Sequence, residues 1–84
     1  MYSIEFSQTA HKQLEKLESQ AQGRIISALE RCRIRPYPHV QRIVGSSFFR
    51  LRAGHYRAIM DIREDRLMIF VIEIGHRRDI YRKV

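Results

Sequence analysis

The segment FFRLRAGHYRAIMDI, residues 48–62, decides the fold of this 84-residue chain. Polar and apolar residues alternate along its first part, and side chains two apart in a β-strand share one face of the sheet. The alternation therefore predicts a basic face that carries Arg50 and Arg52, and an apolar face that carries Leu51 and Ala53. A sheet built in this way buries one side and presents arginines on the other.

Turn residues divide the second half of the chain into three strands. Gly54 separates residues 48–53 from residues 56–62, and the charged turn at residues 63–66 precedes LMIFVIEI, residues 67–74. These segments predict a three-stranded meander. The last segment is almost continuously apolar, which is typical of a strand that lies inside a sheet with both faces partly covered.

The first half of the chain predicts one strand followed by two helices. Residues 2–6 alternate as a half-buried strand, and Ser7 can cap a helix that extends to about Glu18. Ser19 and Gln22 then fit a capping box, in which the serine hydroxyl and the glutamine side chain satisfy backbone donors at the start of a second helix.

The second helix is predicted to end near Ile34, because Pro36 and Pro38 cannot continue it. Residues 42–44 predict a further short strand. Apart from this short strand, the order is β-α-α-β-β-β, which indicates an α+β fold with an N-terminal helical hairpin on one face of a mostly antiparallel, twisted sheet. A chain of this length is expected to form a single domain, residues 1–84.

The charge of the chain indicates a polyanion or an acidic protein as its partner. The net charge is +7, and residues 41–84 hold ten of the 16 basic residues but five of the nine acidic ones. Thirteen of the basic residues are arginine, which suits bidentate contact with phosphate. The alternative is a basic surface that serves solubility alone. No apolar run can span a bilayer and no signal peptide is evident, so we expect a cytoplasmic protein without membrane contact.

Cysteine and histidine positions argue against thiol or metal chemistry. Cys32, the single cysteine, falls on the apolar stripe of the second helix, where a free cysteine usually acts as a small buried hydrophobe. His11, His39 and His55 have no metal-ligand spacing with one another or with carboxylates, so we expect no metal and no cofactor.

The order and spacing of FFRLRAGHYR, residues 48–57, and LMIFVIEIGHRRDIY, residues 67–81, resemble the RelE/ParE superfamily of toxins from type II toxin–antitoxin pairs. The resemblance covers nearly the whole chain and implies a RelE-like fold. RelE-branch toxins bind in the ribosomal A site and cut the messenger RNA there. The resemblance therefore implies a metal-independent endonuclease that inhibits translation. Its implied partners are the ribosome, mRNA and a cognate acidic antitoxin that is partly disordered when free.

The resemblance also implies an active site made from basic residues and one tyrosine. Its candidate catalytic residues are Arg57, Arg77, Tyr81 and His76. Its candidate RNA-binding residues are Arg50, Arg52, Arg78 and Arg82.

RNA cleavage without a metal needs a base for the 2′-OH, a cation for the phosphate and an acid for the 5′-oxygen. Arginines meet the second need, and nearby guanidinium groups favour the phenolate of Tyr81 as a base. His76 is a rival proton carrier, since histidine titrates near neutral pH. Each strand arginine can instead serve only in a cross-strand ion pair, with Glu73, Asp61 or Glu64 as the partner.

Two other functions fit the same residues. ParE-branch toxins share the fold but poison DNA gyrase by protein contact and cut no RNA. A plain RNA-binding module would use the arginines for phosphate and the tyrosines for stacking, without chemistry. Detection of a cleavage product separates the nuclease from both alternatives.

Overall fold

The computed structural model describes residues 1–76. Within these residues two helices, α1 and α2, lie between the first and second of five strands, β1 to β5. Their bounds are β1 Ser3–Phe6, α1 Gln8–Glu15, α2 Ser19–Cys32, β2 Val40–Arg42, β3 Phe49–Ala53, β4 Tyr56–Arg63 and β5 Met68–His76. The predicted α+β class and order are confirmed. The short strand β2 begins at Val40, two residues earlier than the sequence indicated.

The strands form one sheet in the order β1-β5-β4-β3-β2. The pairs from β2 to β5 are antiparallel, whereas β1 runs parallel to β5, with Ile4 opposite Ile69. The prediction that the apolar segment 67–74 lies inside the sheet is confirmed, because β5 has a neighbour on each side. The two turns of the meander lie at opposite ends of the sheet.

The hydrophobic core lies between the helices and one sheet face. Leu51, Ala58 and Ile74 stand side by side on β3, β4 and β5 and are at most 3% exposed. Against the sheet, α1 packs mainly on β5 and α2 mainly on β3. Ile25 and Leu29 of α2 are likewise buried in this core. Burial of these apolar side chains supplies the main driving force for the fold.

The predicted cap of the first helix is confirmed, but the capping box of the second is wrong. The backbone N–H of Ala10 donates to Oγ of Ser7 over 3.0 Å. Helix α2 begins at Ser19, yet its N-cap is Glu18 and no side chain caps it. Gln22 instead donates from Nε2 to the carbonyl oxygen of Leu14 over 2.8 Å. This bond adds a side-chain donor to a carbonyl that already accepts from the backbone N–H of Leu17, and it ties α2 to the end of α1, which stops at Glu15 rather than at residue 18.

Helix α1 also takes the place of a strand beside the second half of β5. Strand β1 ends where Phe6 pairs with Val71. Beyond that point Oγ of Ser7 donates to the carbonyl oxygen of Ile72, and the backbone N–H of Ile74 donates to Oε1 of Gln13, both over 2.6 Å. These two bonds satisfy backbone groups on the edge of β5 just before Gly75 and His76.

Replacement of Gln13 by leucine is expected to destabilise the protein by about 1–3 kcal/mol, because it leaves the half-buried Ile74 N–H without its acceptor. Thermal unfolding measures the loss, which corresponds to roughly 4–8 °C per kcal/mol for a domain of this size. The matched control is Gln8→Leu, the same change at an exposed position of α1. Equal midpoints for the two variants would show that the bond contributes nothing.

Candidate active site

Two arginines stand side by side on the sheet face opposite the helices. Arg52 of β3 pairs in register with Arg57 of β4. Side chains directly opposite in an antiparallel pair have Cβ atoms about 4.5–5.5 Å apart, so the two cations share one region of the sheet. Arg50 lies two residues before Arg52 and on the same face. We call the surface formed by Arg50, Arg52 and Arg57 the arginine face.

Arg57 is the buried member of the arginine face. Its side chain is 1% exposed, and it is the only buried charged residue among residues 1–76. On β5 its partner in register is Gly75, which has no side chain to fill the space beside it. Like charges directly opposite in a sheet are destabilising, and a buried charge loses hydration. Such arrangements are common where a fold holds charge for function.

Arg50 and Arg52 line a shallow depression beside the arginine face. It has a volume of about 260 Å³, and its other wall comes from β2 and the turn before it, including His39 and Gln41. Arg50 donates from Nη2 to Oε1 of Gln41 over 3.0 Å, and the two residues are partners in the β2–β3 ladder. The bond orients Arg50 without neutralising it, because an amide oxygen carries no net charge.

Two of the three carboxylates predicted as alternative partners bind elsewhere. Asp61 accepts from Nε of Arg63 over 2.9 Å. Glu64 accepts from the hydroxyl of Tyr37, and this hydrogen bond to a carboxylate, together with partial burial, raises the pKa of Tyr37 to about 12. The third carboxylate, Glu73, lies on the arginine face in the same row as Arg50, with Ile59 between them.

His76 lies one position beyond the arginine row. It pairs with Tyr56, whereas Arg57 pairs with Gly75, so alternation directs positions 56 and 57 to opposite faces. The His76 ring packs edge-on against Tyr56, with centroids 5.7 Å apart. It also stacks on His55 of the β3–β4 turn at 6.4 Å. The structure therefore brings two imidazoles together at the end of the sheet, beside the arginine face rather than on it.

The other predicted site residues lie outside the described part of the chain. They are Arg77, Arg78, Tyr81 and Arg82. Of the predicted set, the structure brings Arg50, Arg52 and Arg57 together and places His76 at their margin. The roles assigned to all eight residues stay predictions.

Sequence reasoning missed two residues that lie close to this site. Glu73 was considered only as an ion-pair partner, although alternation along β5 puts it on the same face as Gly75 and hence diagonal to Arg57. His55 was dismissed for lack of metal-ligand spacing. Its position in the turn directly before Tyr56 is the signal that could have found it.

The described residues give no support for metal or thiol chemistry. Residues 1–76 hold no group of three or more His, Cys, Asp or Glu side chains that could hold a metal ion. Cys32 is fully buried in the core, and this burial raises the pKa of its thiol. In the same range, no helix is long and apolar enough to cross a membrane.

A face with three clustered guanidinium groups is suited to hold a phosphodiester and to stabilise negative charge that develops on it. Fold and site together define a small toxin-like α+β protein whose sheet carries neighbouring arginines on one face. Residues 4–81 match the family profile of the ParE toxin of type II toxin–antitoxin systems, parDE. The chain belongs to this family, within the RelE/ParE superfamily, so the resemblance seen in the sequence is confirmed.

Solved structures of RelE toxins have the same fold. A chain of the toxin–antitoxin complex RelBE2 from Mycobacterium tuberculosis superposes with a TM-score of 0.80 at 23% identity, covering 90% of this chain and 98% of that one. The intact Escherichia coli RelBE complex gives 0.78 at 22% identity, with 90% and 96% covered. The isolated Escherichia coli RelE toxin gives 0.75 at 20% identity and covers both chains fully. No curated protein sequence matches this chain.

Proposed function

We propose that this toxin is a ribosome-dependent endonuclease that cuts mRNA without a metal ion. The observation that carries the proposal is the pair of Arg52 and Arg57 in register on the arginine face, with Arg57 buried. Like charges directly opposite in a sheet repel each other, whereas two guanidinium groups on one face match the charge of a phosphate in the course of cleavage. The likeness to RelE structures supports the fold on which the proposal rests.

In the proposed reaction the 2′-oxygen of one nucleotide attacks its own 3′-phosphate. The new O–P bond forms as the bond to the 5′-oxygen breaks, which leaves a cyclic phosphate and a free 5′-hydroxyl. Arg57 and Arg77 stabilise the negative charge on the phosphorane, while Arg50 and Arg52 position the RNA backbone. Tyr81 takes the proton from the 2′-OH, with His76 as the rival for this transfer, and water supplies the proton that the departing 5′-oxygen takes up.

Induced expression with primer extension on a reporter mRNA tests the proposal. We expect growth arrest together with cuts confined to translated codons. Mutation of the start codon of the reporter is the matched control, since an untranslated message stays intact if the ribosome is required. Growth arrest with intact reporter mRNA would rule the proposal out.

DNA gyrase inhibition is the second candidate function, because the matching family profile is that of the ParE toxin. In this alternative the arginine face makes protein contacts and no RNA is cut. Supercoiling of a relaxed plasmid by purified gyrase distinguishes the two functions. The nuclease proposal expects unimpaired supercoiling with added toxin, whereas gyrase poisoning expects its loss.

A cognate antitoxin is proposed to neutralise the toxin through a groove on the other side of the molecule. The groove has a volume of about 590 Å³ and lies between the edge strand β1 and the two helices. Apolar side chains dominate its lining, namely Ile4, Phe6, Leu14, Ile26 and Leu29. An amphipathic helix or an added strand from the antitoxin can bury this surface. The net charge of +7 favours an acidic partner and a fast, salt-sensitive association.

A further inference from the structure

A second basic groove lies outside the arginine face, between α2 and the β3–β4 turn. It has a volume of about 560 Å³, and three arginines line it: Arg24 and Arg31 from α2 and Arg52 from β3. No aspartate or glutamate among the described residues lines it. Within residues 1–76 none of these three arginines forms an ion pair. The groove therefore concentrates positive charge that no described carboxylate neutralises.

The arginines of α2 are set along one flank of the helix. Arg24 and Arg31 are two turns apart, about 10.5 Å along the axis, with Ser27 between them. Gly54 shapes the opposite wall, where its φ of +62° suits glycine and a Cβ built on it would lie only 3.2 Å from Nη1 of Arg24. The Arg24 guanidinium thus lies directly against the turn.

Arg52 connects this groove to the candidate active site. It lines both the groove and the depression that it shares with Arg50. Strand β2 begins with Val40 opposite Leu51, so Arg52 stands on β3 just beyond the cover of β2. Basic side chains therefore continue from α2, around the sheet edge, to Arg57.

We propose that this groove binds backbone phosphates of the RNA strand that extends from the cleavage site. The inference rests on the proposed nuclease function, and it names a second contact region for the same substrate. Guanidinium groups suit phosphate contacts, and none of the residues from 1 to 76 that line the groove is an aromatic on which a base can stack. The contacts therefore position the RNA without reading its sequence.

The basic groove and the apolar groove proposed for the antitoxin differ in their lining, and this difference indicates different binding partners. Only Ala28 and Ala53 are apolar among the described residues that line the basic groove. A protein partner needs larger apolar anchors, and these line the other flank of α2, where Ile26 and Leu29 face the antitoxin groove. Helix α2 thus separates a surface suited to RNA from a surface suited to protein.

The test measures the affinity of the purified toxin for a fluorescent single-stranded RNA over a range of salt concentrations. Each phosphate contact to single-stranded RNA adds about 0.7 to the slope of log K against log salt, so the double variant R24Q/R31Q is expected to lower the slope by about 1.4. The matched control is Arg66→Gln, at an exposed position in the β4–β5 turn at the far end of the sheet. It is expected to retain the wild-type slope.

Polyglutamate serves as a second probe, because it represents an acidic protein as the alternative occupant of the basic groove. A wild-type slope for the double variant on RNA, or an equal fall for Arg66→Gln, overturns the proposal. The proposal also fails if the double variant loses polyglutamate binding but keeps RNA binding. Because these measurements contain no ribosomes and require no cleavage, their outcome is independent of whether the toxin cuts mRNA.

Discussion

Replacement of Arg57 by methionine is expected to stop mRNA cleavage with little change in the stability of the fold. In the proposed reaction Arg57 donates to the phosphate as negative charge builds up, and loss of one such preorganised donor lowers the rate roughly 100- to 1000-fold. Single-turnover cleavage of ribosome-bound mRNA measures this loss directly. A variant that cut at the wild-type rate would remove Arg57 from the mechanism.

The same substitution is expected to have little effect on the stability of the fold. Arg57 is 1% exposed and stands opposite Arg52, so methionine removes a buried charge and a repulsive pair at similar volume. Replacement of a complete buried ion pair by well-packed apolar residues is often neutral or stabilising by about 1–4 kcal/mol, whereas removal of one partner alone is destabilising. Relief of the repulsion between Arg52 and Arg57 opposes the loss of the other interactions of Arg57, so the thermal midpoint is expected to change little. A fall of several degrees would show that Arg57 is held mainly for structure.

Two controls separate the charge of Arg57 from its shape. Arg57→Lys keeps the charge but loses the planar, bidentate donor, so partial activity is expected. Arg66→Met makes the same change to methionine in the exposed β4–β5 turn and is expected to change neither cleavage nor the thermal midpoint by a measurable amount.

Replacement of Ile26 by aspartate is expected to free the toxin from its antitoxin. Ile26 is 46% exposed and lines the apolar groove between β1 and the helices. A carboxylate there removes an apolar anchor and repels an acidic partner, and central anchors of this kind contribute about 2 kcal/mol or more to binding. At least a roughly 30-fold weaker complex is expected, with growth arrest restored when the antitoxin is co-expressed.

Val44→Asp is the matched control for Ile26→Asp. Val44 is 98% exposed and lies in the loop between β2 and β3, away from the groove. It is expected to bind the antitoxin as tightly as the wild type. If both variants bound equally well, the groove would not be the antitoxin site. If both bound equally poorly, added negative charge rather than lost apolar contact would explain the effect.

Local patterns predicted most of the fold because each strand and helix carries its own periodicity. Alternation along residues 48–62 identified β3 and β4 and their basic and apolar faces, and Ser7 marked the start of α1. The parallel pairing of β1 with β5 joins residues 3–6 to residues 68–71, and no local pattern records so distant a partner. The bond from Ile74 to Gln13 was missed for the same reason.

Alternation predicts which face of the sheet a side chain occupies but not how deeply the side chain is buried, and this limited the prediction of the site. Arg50, Arg52 and Arg57 were predicted together, and the structure brings them together. The burial of Arg57 and the extension of Arg52 toward α2 depend on packing between elements. The capping box failed because Glu18, not Ser19, is the N-cap of α2, and because Gln22 donates to the carbonyl of Leu14 on the neighbouring helix rather than accepting from a backbone N–H.

The most direct test of the account uses purified toxin, purified ribosomes and a defined message, with cut sites mapped by primer extension. Wild-type toxin is expected to cut within the codon in the ribosomal A site, and to leave the same message intact without ribosomes. The Arg57→Met variant, folded by its thermal midpoint, is expected to leave it intact in both cases. An intact message with wild-type toxin and ribosomes, together with blocked supercoiling by gyrase, would contradict the nuclease proposal and identify a gyrase poison.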